Sequence, residues 1–286
     1  MDRDIEFQNL RPQLFSLAYR LLGTRADAED VVQDAYLRWQ SLANDEVRSP
    51  RSFLATIIAH LSLDSMKSAH RKRETYIGPW LPEPLVEPLG TQAMEMAESL
   101  SLAFLCVFES LSPVERIAFL LREIFDLDYS EVAAALNTTE GNSRQIVARA
   151  RKHLQDRRPR FPVDPERHQS VLREFLAASA SGDPSRLARL LSQDVTAYSD
   201  GGGKVPAALK PIIGRDRVSR LLTGLAKKGY AGVELQFVQV NGEVGALLLA
   251  GNQPLVVMAI DVDPNYALAA ATGCSCKAHR QTASSH

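Results

Sequence analysis

Two clusters of proline divide this chain before any other pattern is considered. Pro79, Pro82, Pro84 and Pro88 fall within residues 78–88, and Pro159, Pro162 and Pro165 form a second group. Proline lacks a backbone donor and clashes with the preceding helical turn, so no helix runs through either cluster. The 286-residue chain is therefore cut into a front, a middle and a tail, each needing its own core. At roughly 100–200 residues per domain, this length holds two or three domains. Hydrophobic residues at 45% and charged residues at 23% are the balance of a globular chain.

The pieces differ in their periodicity. In the front, Leu10, Leu14, Leu17, Leu21 and Leu22 recur at helical spacing and Gly23 ends the run. Thr24 or Asp27 caps a second helix reaching about Leu42, with Val31, Ala35, Trp39 and Leu42 facing inward. A third helix starts at Ser49-Pro50, with Phe53, Ile57, Ile58 and Leu61 as its buried stripe. Residues 93–157 are helical again, one helix starting at Ser112-Pro113. After residue 166, helical stretches near 166–180, 184–191 and 214–227 surround apolar or alternating runs at 195–199, 232–240, 244–250 and 254–262. Asn241-Gly242 between two of those runs predicts a tight hairpin. The expected architecture is multidomain: two all-α domains, 1–75 and 96–158, joined by a linker over 76–95 and followed by an α+β domain over 166–286. Residues 267–286 show no strand pattern, and the sequence leaves their order open.

Composition excludes several classes of protein. Three cysteines are too few for a disulfide framework, and Cys274-x-Cys276 has no second pair at metal-site spacing. A reducing, cytoplasmic location is expected, with no metal and no cofactor. The first ten residues are acidic and lack the apolar core of a signal peptide. The apolar run Gly245 to Ile260 is broken by Gly251-Asn252-Gln253-Pro254, which makes it two strands and a turn. A membrane helix needs ~20 unbroken apolar residues. The net charge of −1 excludes a uniformly basic nucleic-acid coat but leaves room for a local patch.

Such a patch is present. Residues 128–154 read as a short helix from Ser130 to Leu136, a turn at Asn137-Thr138-Thr139, and a second helix from about Glu140. Val132, Ala133, Leu136, Ile146, Val147, Ala150 and Leu154 form the inner side, which is the layout of a helix-turn-helix. Between Arg144 and Arg160 there are seven Lys or Arg and one acid, Asp156, giving +6 on a chain whose total is −1. A cluster of this kind matches phosphate contacts with counterion release. Asn142, Ser143, Arg144 and Gln145 open the second helix with side chains suited to base edges, and Arg149 and Lys152 follow one and two turns later.

The front helices carry a polarity of their own. Asp27, Asp30 and Asp34, with Gln33 beside them, form an acidic stripe that is either a solvated face or a dock for a basic partner. The third helix ends in Lys67, His70, Arg71, Lys72 and Arg73, more cations than helix capping requires. A second DNA contact is the expectation there. In the linker, Trp80 and Leu81 are poor choices for solvent and point to docking on a partner surface.

These residues carry a resemblance. DAEDVVQDAYLRW (27–39) with RSFLATIIAHLSLDSMKSAHRKR (51–73) resembles region 2 of the extracytoplasmic-function sigma factors of the sigma-70 family. LSPVERIAFLLREIFDLDYSEVAAAL (111–136) resembles their region 4. GPWLPEP in the linker and DGGGK at Asp200–Lys204 resemble the group that carries a C-terminal SnoaL-like cone domain. The resemblance implies a non-enzymatic factor that binds core RNA polymerase and reads promoter DNA. Asp30, Gln33 and Asp34 would face the polymerase clamp. His60, Asp64, Lys67, Arg71, Lys72 and Arg73 would read the −10 element, and Asn142, Ser143, Arg144, Gln145, Arg149 and Lys152 the −35 element. Many relatives have Arg-Asn where this chain has Ala59-His60. Trp80, Leu81, Pro82, Glu83 and Pro84, together with Asp200, Gly201, Gly202, Gly203 and Lys204, would form a regulatory contact between linker and tail. No separate anti-sigma factor is then expected, and a small ligand in the cone pocket is left open. The competing readings are a one-component regulator with a ligand-sensing tail and a fused enzyme. For the enzyme, Asp194 and Asp200 are the acid–base candidates, and no histidine lies between residues 169 and 278.

Overall fold

The computed structural model describes residues 3–42, 47, 49–73, 81–90, 101–155, 164–201, 208, 210–227, 232–263 and 268–275. They form two compact units, one of helices and one built on a sheet.

The helical unit begins with α1 (Arg3–Leu22), α2 (Arg25–Ser41) and α3 (Pro50–Arg73). Gly23 ends α1 at φ 77°, its N–H bonding Tyr19 O at 2.8 Å. The positive φ is one a residue with a Cβ rarely adopts. Thr24 caps α2 by accepting from the Asp27 N–H at 3.2 Å. Val31, Ala35 and Trp39 are buried as expected, and the Trp39 indole donates to Arg3 O at 3.0 Å. On α3 the buried stripe is rotated from the expected one: Leu54, Ile57, Ile58 and Ser62 are buried, while Phe53 and Leu61 are half-buried.

The same unit continues in the last part of α4 (Leu102–Phe108), then α5 (Pro113–Glu123), α6 (Tyr129–Ala135) and α7 (Glu140–Gln155). Ser112 and Glu115 cap α5 reciprocally, each side chain bonding the other's backbone N–H. Asn137 makes the turn after α6 at φ 50°. Ala135, rather than Leu136, takes the buried position at the end of α6, together with Val132, Ile146, Val147, Ala150 and Leu154. Buried Arg116 of α5 ties these helices to α1, donating to Leu21 O at 3.1 Å, and also donates to Glu109 Oε1 at 2.8 Å.

The second unit holds a seven-stranded mixed sheet in the order β1-β4-β5-β6-β7-β2-β3. Its strands are β1 (Val86–Pro88), β2 (Leu191–Asp200), β3 (Ile212–Ile213), β4 (Val233–Val240), β5 (Glu243–Ala250), β6 (Gln253–Val262) and β7 (Leu268–Ser275). Helices α8 (Pro165–Ser181), α9 (Pro184–Leu190) and α10 (Arg215–Lys227) cover one face, burying Leu172, Phe175, Leu187 and Val218 against Val195, Ile260 and Leu268. Alternation along β6 sends Val257 and Ala259 to the other face, where they meet Val238, Val240 and Leu102. The Asn241-Gly242 hairpin forms as expected, with positive φ at both residues.

One expectation is corrected here. The chain end does not lack a strand: β7 runs between β6 and β2, antiparallel to the first and parallel to the second. Its sequence, LAAATGCS, has little strand propensity, and hydrogen bonding on both edges overrides that. Within the Pro-rich linker, β1 pairs with β4 through Val86↔Val240 and Pro88↔Val238. Proline is tolerated there because β1 is an edge strand. No helix among the described residues is long and apolar enough to cross a membrane.

Candidate nucleic-acid and partner interfaces

The acidic stripe is a solvent-facing surface. Burial of Ala28, Val31, Val32 and Ala35 turns Asp30, Gln33 and Asp34 outward on α2. Leu37, one turn beyond Gln33 and Asp34, is 55% exposed on the same side. Sequence reading missed it because a lone leucine near the end of an amphipathic helix reads as core. An acidic face with an apolar residue at its edge fits a protein partner better than a purely solvated surface does.

On α3, His60, Asp64 and Lys67 are all exposed and fall at spacings of four and three, so the backbone brings them to one side. Lys67 Nζ lies 3.5 Å from Asp64 Oδ1. His60 is engaged within its own unit: Nε2 is 2.6 Å from Ala135 O, the last carbonyl of α6. Arg71, Lys72 and Arg73 form the last turn of α3, and their side chains lie outside the described residues.

The helix-turn-helix presents Asn142, Arg144, Gln145, Arg149 and Lys152 to solvent from α7. Thr139 caps that helix by accepting from the Asn142 N–H at 3.2 Å. Asn142 in turn donates from Nδ2 to Thr138 Oγ1 at 2.8 Å. Ser143 is a correction. It is fully buried, its hydroxyl 2.8 Å from Glu140 O and 3.0 Å from Tyr129 O, so it fastens α7 to α6 and meets no base. The helical period assigns it inward, but a small polar residue at the head of a reading helix invites the opposite reading. Arg151 is likewise drawn in, bonding Glu123 at 2.6 Å.

In the sheet unit the linker is fastened at two places, and Ser101 beyond it at a third. The Leu81 N–H donates to Asp200 Oδ2 at 3.4 Å, with Leu81 and Pro82 buried and Glu83 and Pro84 half-buried. The hairpin tip grips Leu85 twice: Leu85 N–H to Asn241 Oδ1 at 3.0 Å, and Asn241 N–H to Leu85 O at 2.9 Å. The Ser101 hydroxyl donates to Asp261 Oδ2 at 3.1 Å, and Leu102 packs on the sheet beside it. Gly201 is buried next to Asp200. Trp80, Gly202, Gly203 and Lys204 lie outside the described residues.

The carboxylates expected for acid–base work are otherwise employed. Asp194 is exposed and accepts from the Ser192 hydroxyl at 3.0 Å, while Asp200 holds the linker. The perturbed pair is Glu243 and Asp261, which strand alternation alone does not single out. Burial, reinforced by Asp261, pushes the Glu243 carboxyl up to about 8. Burial raises Asp261 to about 6 against the opposing pull of the Ser101 hydroxyl. His168 reaches only a backbone atom, Nε2 lying 3.0 Å from Ile260 O. No group of three or more His, Cys, Asp or Glu suited to a metal occurs among the described residues.

Comparison with known proteins agrees with this layout. Sigma-70 region 2 matches residues 7–72 and Sigma-70 region 4 matches residues 101–154. The chain is 42% identical over 249 residues to the ECF RNA polymerase sigma factor SigJ of Mycobacterium tuberculosis, covering 84% of this chain and 79% of that one. It is 31% identical over 214 residues to the probable ECF sigma factor SigI of the same species, covering 73% and 71%. The crystal structure of Mycobacterium tuberculosis SigJ superposes with a TM-score of 0.76 at 37% identity over 95% of this chain and 96% of that one. With both sigma-70 regions matched in order and 42% identity across most of a curated relative, the chain belongs to the extracytoplasmic-function RNA polymerase sigma factors, non-enzymatic factors that bind core polymerase and promoter DNA to start transcription.

Proposed function

We propose that the individual surfaces divide this work as follows. Asp30, Gln33, Asp34 and Leu37 dock on the polymerase clamp, the exposed side and end of α3 read the −10 element, and α7 reads the −35 element with Asn142, Arg144, Gln145, Arg149 and Lys152. The sheet unit acts as a regulator in cis by holding the linker that joins the two reading regions. The observation that carries this is the fastening of Leu81, Leu85 and Ser101 by Asp200, Asn241 and Asp261. A sigma factor addressing two separated promoter elements needs freedom in the chain between its readers, and three anchors on one sheet restrict that freedom. Action in the cytoplasm, where polymerase works, and the lack of need for a separate anti-sigma factor are parts of the same proposal. Isolation of the native complex from cells tests the second of these.

Run-off transcription by the full chain with purified core polymerase tests the linker function. Asp200→Ala and Asn241→Gly each remove a linker acceptor, and glycine keeps the positive φ of the hairpin. Promoter output should change in the same direction for both. Unchanged output from the double variant would reject regulation through the linker. A small ligand bound in the sheet unit would appear as a co-purifying mass in native mass spectrometry.

A further inference from the structure

The exposed arginines of α7 are legible in the sequence, but what holds them is not. Tyr129, the first residue of α6, stands where three guanidinium groups converge. Arg144 Cζ lies 4.5 Å from its ring centroid and Arg122 Cζ 5.0 Å, while Arg151 meets the phenol. Each arginine also has an acid of its own: Glu140 for Arg144, Asp126 for Arg122 at 3.4 Å, and Glu123 for Arg151 at 2.6 Å. The carbonyl of Tyr129 is tied to α7 by the Ser143 hydroxyl at 3.0 Å. The ring is thus half-buried and anchored at its backbone, whereas the Arg144 side chain is 57% exposed.

An unsupported arginine on a helix samples many rotamers, and recognition of a base must freeze them. A ring that already carries the guanidinium removes part of that cost. Stacking uses the flat face of the group and leaves edge donors for acceptors. A planar fork of donors matches the O6 and N7 acceptors of guanine in the major groove. Glu140 takes a donor on Nη2 and holds the group from the side, and the three acids keep the three cations from repelling one another.

We propose that Tyr129 is a positioning residue for the promoter-reading face: its ring presets the Arg144 guanidinium, so that α7 meets the duplex with its guanine reader already aimed. The proposal rests on α7 being the −35 reader. It assigns a role to a residue outside the reading helix, on the helix before it.

The test uses the full chain assembled with core polymerase, on a promoter first recovered by run-off transcription of fragmented genomic DNA from the source organism. Discrimination is the ratio of output from that promoter to output from templates with each −35 guanine replaced. Tyr129→Leu should lower discrimination about two- to fivefold, the worth of one exposed cation–π contact. Tyr129→Phe should retain it, and neither should change the salt slope of promoter binding, since no charge is removed. In an Arg144→Ala background, Tyr129→Leu should have no further effect on discrimination, whereas a structural role would act in both backgrounds. Equal losses in both backgrounds, or a loss in Tyr129→Phe equal to that in Tyr129→Leu, would overturn the proposal. Unchanged discrimination in Arg144→Ala at every −35 position would instead overturn the reading of α7, so the two failures are distinguishable. A measurement on the unaltered protein stands beside these variants: the Nε–H order parameter of Arg144 should approach backbone values and exceed that of Arg149. Equal mobility of the two would sink the proposal whatever the variants do.

Discussion

Glu243 and Asp261 oppose one another across β5 and β6: continuing the register that pairs Ala246 with Met258 sets them face to face, and their carboxyl groups interact. The pair sits between the anchor of the linker at Leu85 and that of Ser101. Asn241, which grips Leu85, is two residues from Glu243, and Asp261 itself accepts from Ser101. No Lys, Arg or His occurs in α4, β1, β4, β5, β6 or β7, and the repulsion between the two carboxylates falls when either takes up a proton. His168 bonds a backbone carbonyl, Ile260 O, whose side chain lies in the helix-covered core.

The pH dependence follows in sign. Both folded-state values are raised above the ordinary carboxylate range, Glu243 to about 8 and Asp261 to about 6. The folded protein therefore holds more protons than the unfolded one, and stability is full below the ordinary carboxylate pKa and lost as pH rises through about 6 to 8. The melting temperature of the sheet unit should fall by about 4 °C or more between pH 5.5 and pH 8.5. Glu243→Gln should flatten that fall. A melting temperature that rises over the same interval would contradict the assignment. Protection factors for hydrogen exchange at Leu85 and Ser101, which remove the intrinsic rise of exchange with pH, should fall in parallel.

Arg116 should be costly to replace. It is 4% exposed and joins Leu21 O and Glu109. Arg116→Ala removes a buried guanidinium that bridges Leu21 O and Glu109, and breaking a buried pair costs about 3–5 kcal/mol. Replacement of both partners, Arg116→Met with Glu109→Gln, should recover most of the loss in thermal or denaturant unfolding of the helical unit.

Ser143→Ala should lower the stability of the helix-turn-helix by about 1 kcal/mol while leaving promoter choice unchanged, because the hydroxyl serves two carbonyls of the protein. Arg144→Ala should do the reverse, shifting promoter preference with a small effect on melting. Paired melting curves and transcription from −35 variants separate the two.

The paired change Asp30→Ala with Asp34→Ala should weaken binding to core polymerase, more so at low salt, with the circular dichroism spectrum unchanged. Leu37→Ser should weaken it without altering the salt dependence. Core affinity that survives all three substitutions would remove α2 from the interface.

Helix periodicity, caps and proline breaks were readable from the chain alone, because each is a local property. Thr24, Ser112, Gly23 and Asn241-Gly242 act within a few residues of themselves, and the outward turn of Asp30, Asp34, Arg144 and Arg149 follows from which neighbours are apolar. Partnerships across long separations could not be read that way. Nothing local distinguishes Glu243 from an ordinary surface acid until a strand distant in sequence is laid beside it. The β7 strand makes the point most plainly: its alanines and glycine have no strand preference, and hydrogen bonds from β6 and β2 supply what the side chains do not. Likewise the linker's prolines forbid a helix but do not say where the segment goes. Pairing of Val86 with Val240 and the grip of Asn241 on Leu85 place it on the sheet, since backbone groups there find partners only at an open edge and a hairpin tip.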